Sequence, residues 1–279
     1  IAHSVSPAIH NAALRAAGID ACYLPLAAAD FEDFRAFAEA MRLEGASVTA
    51  PFKRAALDVA AEREDLAVRV GAANTLARRD DGRWRARNTD VAGFLKPLEG
   101  IALAEMRVAV IGAGGAARAV LAGLAGVAES VTVHARREEA ARGLAGEFGA
   151  RATSLPPLPG AWDVLVNTTP VGTWPDEDAT PLAADLLDGG LVYDLVYNPP
   201  RTRLLREAAE RGCRTIGGLE MLVAQAAEQF TWWTGRAAPA ETMRHAAHRA
   251  LLRAAASHPA DKCQVPTANR QLQDPPTCR

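Results

Sequence analysis

Cysteine is nearly absent: four residues in 279, Cys22, Cys213, Cys263 and Cys278, and none stands at metal-ligand spacing from another. That argues against both a thiolate metal site and a disulfide framework. An excess of either charge is missing too. Lys plus Arg number 31 against 33 Asp plus Glu, a formal net charge of −2, which offers no electrostatic reason to invoke nucleic acid or an anionic membrane. No apolar run approaches the length of a membrane span, and no targeting segment precedes the first motif, so a soluble cytoplasmic protein is expected. Internal repeats are lacking, and the only compositional bias is alanine, which favours helix. What remains is 49% hydrophobic and 23% charged, enough chain for two modest cores.

The most informative segment lies in mid-chain. Arg107-Val108-Ala109-Val110-Ile111 reads as a buried parallel strand, Gly112-Ala113-Gly114-Gly115-Ala116-Ala117 follows at once, and an apolar helical pattern runs from Arg118 to Leu124. This is GxGxxA between a strand and a helix, the setting a dinucleotide fingerprint needs. Its glycines let the backbone turn tightly and approach a pyrophosphate, which then rests on helix N-terminal amides. About one hundred residues precede it, more than a linker needs, so they are expected to form a separate substrate domain with the site in the cleft between.

The first half alternates short elements. Ser6 is a natural N-cap, Pro7 suits the first turn, and Gly18 closes that helix. Ala21 to Leu26 reads as a strand. Asp30 caps an amphipathic helix bearing Phe31, Phe34 and Phe37 and ending near Leu43. Gly45 to Ala50 reads as a short strand, and Pro51 starts a helix to about Ala60. Asp80-Asp81-Gly82 between Asn74–Arg78 and Trp84–Arg87 signals a hairpin, and Asn88-Thr89-Asp90 leads into a further helix. From Met106 the pattern is βαβα, with strands near 107–111, 130–134, 162–166, 191–195 and 213–216. Two apolar helices, near 219–235 and 239–256, are expected to pack back on the first domain or bridge the two. His258 to Arg279 is polar and aperiodic and reads as a disordered tail. The class is therefore α/β: a substrate domain over 1–100, a Rossmann-like dinucleotide domain over 101–218, C-terminal helices over 219–256, and a tail over 257–279.

The second strand of the nucleotide half ends at His134, followed by Ala135-Arg136-Arg137. An NAD site usually carries an acidic residue there to bind the ribose hydroxyls. Arginines instead can grip a 2′-phosphate and stack on adenine, so NADP(H) is favoured; solvated surface arginines are the plain alternative, and Glu138 and Glu139 just beyond keep NAD open.

Polar clusters stand out against the alanine-rich first half: Ser4-Val5-Ser6-Pro7, Ser47-Val48-Thr49-Ala50-Pro51-Phe52-Lys53, Gly71-Ala72-Ala73-Asn74-Thr75 and Asn88-Thr89-Asp90. With the mid-chain glycine turn, Asn167-Thr168-Thr169-Pro170-Val171-Gly172, Tyr193-Asp194-Leu195-Val196-Tyr197-Asn198-Pro199 and Gly218-Leu219-Glu220-Met221-Leu222-Val223-Ala224-Gln225, the chain resembles shikimate dehydrogenase over about residues 1–256.

The resemblance implies NADP-dependent reversible reduction of 3-dehydroshikimate to shikimate, in aromatic amino-acid biosynthesis. Lys53 and Asp90 would be the catalytic pair. Reducing a ketone builds negative charge on oxygen and needs a proton donor or cation beside it. Ser4 and Ser6 would hold the substrate carboxylate at a helix N-terminus. Thr49, Asn74, Gln225 and Tyr197 would complete a ring around the polyol. Gly112, Gly114, Gly115, Ala116, Arg136, Arg137, Thr168, Leu195 and Gly218 would hold the cofactor. No metal is implied, and the expected assembly is a monomer or homodimer. Ser47 stands where the family has asparagine, Ala135-Arg136-Arg137 where it has Asn-Arg-Thr, and the family's strand before the serine pair is reduced to Ile1-Ala2, which reads as an incomplete product with a weakened substrate domain. Rival readings are a quinate or aminoshikimate paralogue, a catalytically impaired NADP-binding regulatory homologue, and a folate-linked dehydrogenase, the last leaving the serine pair and Gln225 unexplained.

Overall fold

The computed structural model describes residues 4–256; Ile1-Ala2 and the tail from 257 lie outside the described residues. In chain order the first half comprises α1 (Ser6–Ala16), α2 (Phe31–Ala40), β1 (Gly45–Ser47), α3 (Lys53–Val59), β2 (Glu62–Arg63), α4 (Asp65–Val70), β3 (Thr75–Arg78), β4 (Trp84–Arg87) and α5 (Asp90–Leu95). The second comprises β5 (Arg107–Ile111), α6 (Gly115–Leu124), β6 (Ser130–His134), α7 (Glu138–Phe148), β7 (Arg151–Thr153), β8 (Val164–Asn167), β9 (Leu191–Asp194), α8 (Arg203–Glu210) and β10 (Arg214–Gly217). Then α9 (Gly218–Thr234) and α10 (Ala240–Ala256) follow.

The first half builds a four-stranded sheet in the order β1-β3-β4-β2. The second builds an all-parallel six-stranded sheet in the order β10-β9-β8-β5-β6-β7. Parallel strands need helices on both faces, so they read as continuous apolar runs; β5 and β8 are buried almost throughout. Chain order reverses at β5, which lies between β6 and β8. A crevice opens beyond the carboxyl ends of strands at such a point, and the glycine turn sits there.

Two helices join the halves. α5 packs against both α6 and α9, and Phe94 of α5 is fully buried, its ring stacked on Tyr193 of β9 at 5.4 Å. Burial of one such ring is worth ~1.5–3 kcal/mol. Arg118 of α6 donates Nε–H to the Val70 carbonyl at 2.7 Å and forms an ion pair with Glu147 of α7 at 2.5 Å. Helices α9 and α10 return to the first half, where Val223, Phe230, Met243 and Leu251 share a core with Val5 and Ile9.

Several local expectations need correcting. Ala21 to Leu26 is not a strand among the described residues. It runs irregular and largely exposed, and its backbone is held by a side chain instead: Tyr23 N–H donates to Asn11 Oδ1 and the Tyr23 carbonyl accepts from Asn11 Nδ2, both at 2.8 Å. Ser6 does not cap α1 but is its first residue; Val5 stands at the N-cap, which no side chain caps, and Ser6 N–H donates to Ser4 Oγ at 3.3 Å. Helix α2 stops at Ala40 rather than near Leu43, and α3 begins at Lys53, with Pro51 and Phe52 in the preceding turn.

His10 of α1 is buried, stacked on Tyr23 at 4.5 Å and tilted against Trp233 at 5.2 Å. Burial lowers its pKa to about 4, partly opposed by the neighbouring Gln229 side chain. The unfolded chain therefore takes up a proton near pH 6.5 that the folded chain refuses. This contribution to stability is complete above pH 6.5 and is lost as pH falls toward 4. Compared with His10→Phe, the wild type should lose about 2 kcal/mol more between pH 7 and pH 5, measured by urea unfolding. Equal losses in the two proteins would show that His10 is already charged when folded.

Candidate active site

Lys53 and Asp90 come from different helices and meet at their N-termini. Lys53 opens α3 and Asp90 opens α5. Nζ donates to Asp90 Oδ2 at 2.6 Å, with the two side chains 24% and 12% exposed. Such a pair is partly desolvated yet not closed to solvent, and its worth lies more in placing charge than in stability. The other carboxylate oxygen, Oδ1, accepts from Asn74 Nδ2 at 2.8 Å. Asn74 is buried just before β3, and its own Oδ1 accepts from Thr89 N–H and from Thr75 Oγ1, each at 2.8 Å. Asn88 Oδ1 accepts from Asp90 N–H at 3.0 Å, while Asn88 Nδ2 donates to the Ala72 carbonyl at 2.8 Å. A carboxylate has about four lone-pair sites. Two are spoken for, leaving room for a substrate hydroxyl.

Gln225 is brought to the same place by α9. Its Oε1 lies 3.5 Å from Asn74 Nδ2, and its Nε2 donates to the Leu222 carbonyl at 2.8 Å. The approach of α9 to α5 depends on Gly93, where an added Cβ would lie 2.6 Å from Gln225 Cβ. Thr49 is exposed beside Lys53, its carbonyl accepting from Phe52 N–H at 3.0 Å. Ser4 and Ser6 are half-buried at the start of α1. Tyr197 packs against the core that contains Val5, the residue between those two serines, and burial raises its phenol pKa. No hydrogen bond among the described residues joins the serines or Tyr197 to the Lys53–Asp90 pair. The Ser47 hydroxyl donates to Gln229 Oε1 at 2.7 Å.

On the nucleotide side, Gly112 has φ +111°, and an added Cβ would stand 2.5 Å from Thr168 Oγ1 and 3.0 Å from Thr169 Cγ2. Only glycine fits there. Gly114 and Gly115 are the reverse case: an added Cβ would meet nothing within 4 Å. With Ala116 they open α6, whose first N–H groups receive no side-chain cap. That bare, open helix start fits a dinucleotide pyrophosphate. The register pairs Ile111 of β5 with His134 of β6, which sets the exposed Arg136 and Arg137 beside the glycine turn. Glu138 is ion-paired with Arg142 at 3.5 Å. The Thr168 hydroxyl donates to the Ile111 carbonyl at 2.7 Å and braces the turn. Leu195 N–H donates to the Asn167 carbonyl at 3.0 Å, and the Leu195 carbonyl lies against Gly218.

Two polar groups received no role in the sequence reading. Gln229 is one. The other is Asp194, fully buried, with Oδ1 accepting from Asn167 Nδ2 at 2.9 Å and Val196 N–H at 3.1 Å, and Oδ2 from Thr202 Oγ1 at 2.6 Å. Burial pushes its carboxyl pKa up. It pins the segment carrying Leu195 and Tyr197. Acid–Thr–Asn groupings at strand ends are common, so only the spatial arrangement reveals it. Among the described residues no group of His, Cys, Asp and Glu is arranged to hold a metal ion, and no helix is long and apolar enough to cross a membrane.

A glycine turn at the switch point of a parallel sheet in one half, with a partly buried lysine–carboxylate pair in the other, fits a two-lobed nicotinamide-nucleotide oxidoreductase. Comparison with known proteins narrows this. Residues 1–76 match the family model for the shikimate dehydrogenase substrate binding domain, and residues 218–248 that for the shikimate 5'-dehydrogenase C-terminal domain. A shikimate dehydrogenase (NADP(+)) of Salinibacter ruber is 42% identical, the alignment covering 86% of this chain and 90% of that protein. Shikimate 5-dehydrogenase of Thermus thermophilus, solved in complex with NADP(H) and shikimate, superposes with a TM-score of 0.79 at 39% identity, over 90% of this chain and 96% of that one. A 5-ketofructose reductase of a Gluconobacter species superposes with a TM-score of 0.77 at 32% identity, over 88% and 93% of the two chains. The chain belongs to the shikimate dehydrogenase family.

Proposed function

We propose that Lys53 and Asp90 carry proton transfer in the NADP-dependent interconversion of 3-dehydroshikimate and shikimate. The observation that supports this above all is the 2.6 Å Lys53–Asp90 contact, braced on its far side by Asn74. NADPH supplies the hydride to the carbonyl carbon. Lys53 Nζ donates a proton to the oxygen as charge builds there, and takes it back when shikimate is oxidised. Asp90 aims Lys53 and accepts a hydrogen bond from a ring hydroxyl. Asn74 and Gln225 offer amide groups, which both donate and accept, to neighbouring hydroxyls, and Thr49 closes the rim. Ser4 and Ser6 receive the carboxylate at the start of α1, with Tyr197 alongside. We assign residues 1–100 and 219–256 to the substrate half and 101–218 to the nucleotide half. In the latter, Gly112, Gly114, Gly115 and Ala116 cradle the pyrophosphate, Arg136 and Arg137 take the 2′-phosphate, Thr168 stands by the pyrophosphate and ribose, and Leu195 and Gly218 shape the nicotinamide end. We place the enzyme in the cytoplasm, as a monomer or homodimer.

The test is NADPH consumption with 3-dehydroshikimate by the purified chain. In that assay the double substitution Arg136→Ala, Arg137→Ala should raise KM for NADPH about tenfold or more, the worth of a charge-assisted pair, and leave the weaker use of NADH nearly unchanged. A parallel rise with both cofactors would remove the arginines from the 2′-phosphate site. Absence of turnover would remove the reaction itself.

A further inference from the structure

Gln229 stands one turn beyond Gln225 on α9 and is 1% exposed. It touches neither Lys53 nor Asp90, yet it stands at the root of the network that holds them. Its Oε1 accepts from Ser47 Oγ at 2.7 Å. Its Nε2 donates to Thr75 Oγ1 at 2.9 Å and to the Asn74 carbonyl at 3.4 Å. A threonine hydroxyl has a single proton. Because Thr75 Oγ1 accepts from Gln229, that proton is free for Asn74 Oδ1, 2.8 Å away. Asn74 then presents Nδ2 to Asp90 Oδ1 at 2.8 Å, and Asp90 Oδ2 holds Lys53 at 2.6 Å. Donor direction thus runs one way, from Gln229 through Thr75 and Asn74 to the carboxylate.

Attaching a helix to a sheet does not require a buried amide. Trp233, on the same helix, already donates Nε1–H to the Leu76 carbonyl at 2.9 Å, and an apolar side chain at 229 would avoid desolvating polar atoms. Ser47 belongs to the same device, since its hydroxyl fixes which end of the Gln229 amide faces Thr75.

We propose that Gln229 is a positioning residue for the Lys53–Asp90 pair, acting through Thr75 and Asn74 and oriented by Ser47. The proposal rests on the reading of Lys53 and Asp90 as the proton-transfer pair. If Thr75 loses its donor from Gln229, its hydroxyl can turn to Thr89 Oγ1, 3.4 Å away, and Asn74 loses one of the groups that square it to Asp90.

Gln229→Met keeps length and removes both polar ends. At saturating NADP+, it should lower kcat for shikimate oxidation about tenfold, as a small misplacement of a reacting group does, with KM for shikimate and Kd for NADP+ within about twofold. Thr75→Val should lose a similar amount, Thr75→Ser should recover most of it, and the double variant Thr75→Val, Gln229→Met should be no worse than the poorer single one. Unchanged kcat with a lowered melting temperature, or losses that add in the double variant, would overturn the proposal. Should Gln229→Met fail to fold, Ser47→Ala carries the test: kcat about threefold down at constant KM and Kd supports it, and unchanged kcat overturns it. A wild-type chain inert toward shikimate would overturn the Lys53–Asp90 reading and this inference together, whereas failure of the inference alone leaves the wild type active.

Discussion

Lys53→Met should lower kcat for shikimate oxidation about a thousandfold while Kd for NADP+ changes by less than about twofold. The size follows from the role. Lys53 stands at the start of α3, and Asp90 holds its ammonium group at 2.6 Å. Methionine preserves the length of the stem but cannot take up or release a proton. The nucleotide elements lie on another sheet, with the glycine turn at the end of β5 and Arg136 beyond β6, so cofactor affinity should not follow the loss. Steady-state kinetics together with a fluorescence titration of NADPH separates the two quantities. A joint fall would mean that the substitution damages the fold and would take away the reason to call Lys53 catalytic.

Gly218→Ala should cost about 3 kcal/mol, lowering the melting temperature by about 6–12 °C in a chain of this size. Gly218 begins α9 where β10 ends, and its N–H donates to the Val196 carbonyl at 3.3 Å. A Cβ there would press on the Leu195 carbonyl oxygen and lie 2.5 Å from Leu195 C and 2.8 Å from Val196 C. All three are backbone atoms, which cannot swing aside as a side-chain tip can. The shift needed to relieve them would also carry α9 and Gln225 away from Asn74. Gly115→Ala makes the matching control. Its Cβ would meet nothing within 4 Å and would lie in the first turn of α6, so stability should hold while NADP+ binding weakens. Thermal unfolding with and without NADP+ distinguishes the two outcomes. Equal melting temperatures for Gly218→Ala and wild type would show that the contact with Leu195 relaxes freely.

The parts of the fold that were legible in the sequence are those with a strong local signature. Strand β5, the glycine turn and α6 combine an apolar run, a φ that only glycine tolerates and a helical period. The β3–β4 hairpin announces itself through Asp80-Asp81-Gly82, and Gly82 has φ +80°. Lys53 and Asp90 follow turn motifs at strand ends, and the fold joins them. Other elements have no such mark. Strands β2 and β7 span two and three residues, mostly exposed, too short to show a period. The segment 21–26 has the composition of a strand, but pairing is a property of neighbours, and Asn11 satisfies Tyr23 instead. That Ser6 enters α1 where a cap is expected turns on one residue of helix phase. Ser47, Thr168 and Gln229 were opaque for a common reason: where a hydroxyl or amide points depends on groups distant in sequence, such as the 182 positions separating Ser47 from Gln229.

Substrate choice remains the point on which pocket chemistry decides. The Ser47 hydroxyl donates to Gln229, so the proposed reading assigns the ring hydroxyls to Asp90, Asn74, Thr49 and Gln225. The measurement to make is nicotinamide reduction by the purified chain, with shikimate and quinate each offered with NADP+ and with NAD+. Turnover of shikimate and not of quinate, far faster with NADP+ than with NAD+, is the expected result, and it would support the polar pocket and the arginine turn together. Silence in all four mixtures from a chain that still binds NADPH, or faster turnover of quinate, would contradict the assignment.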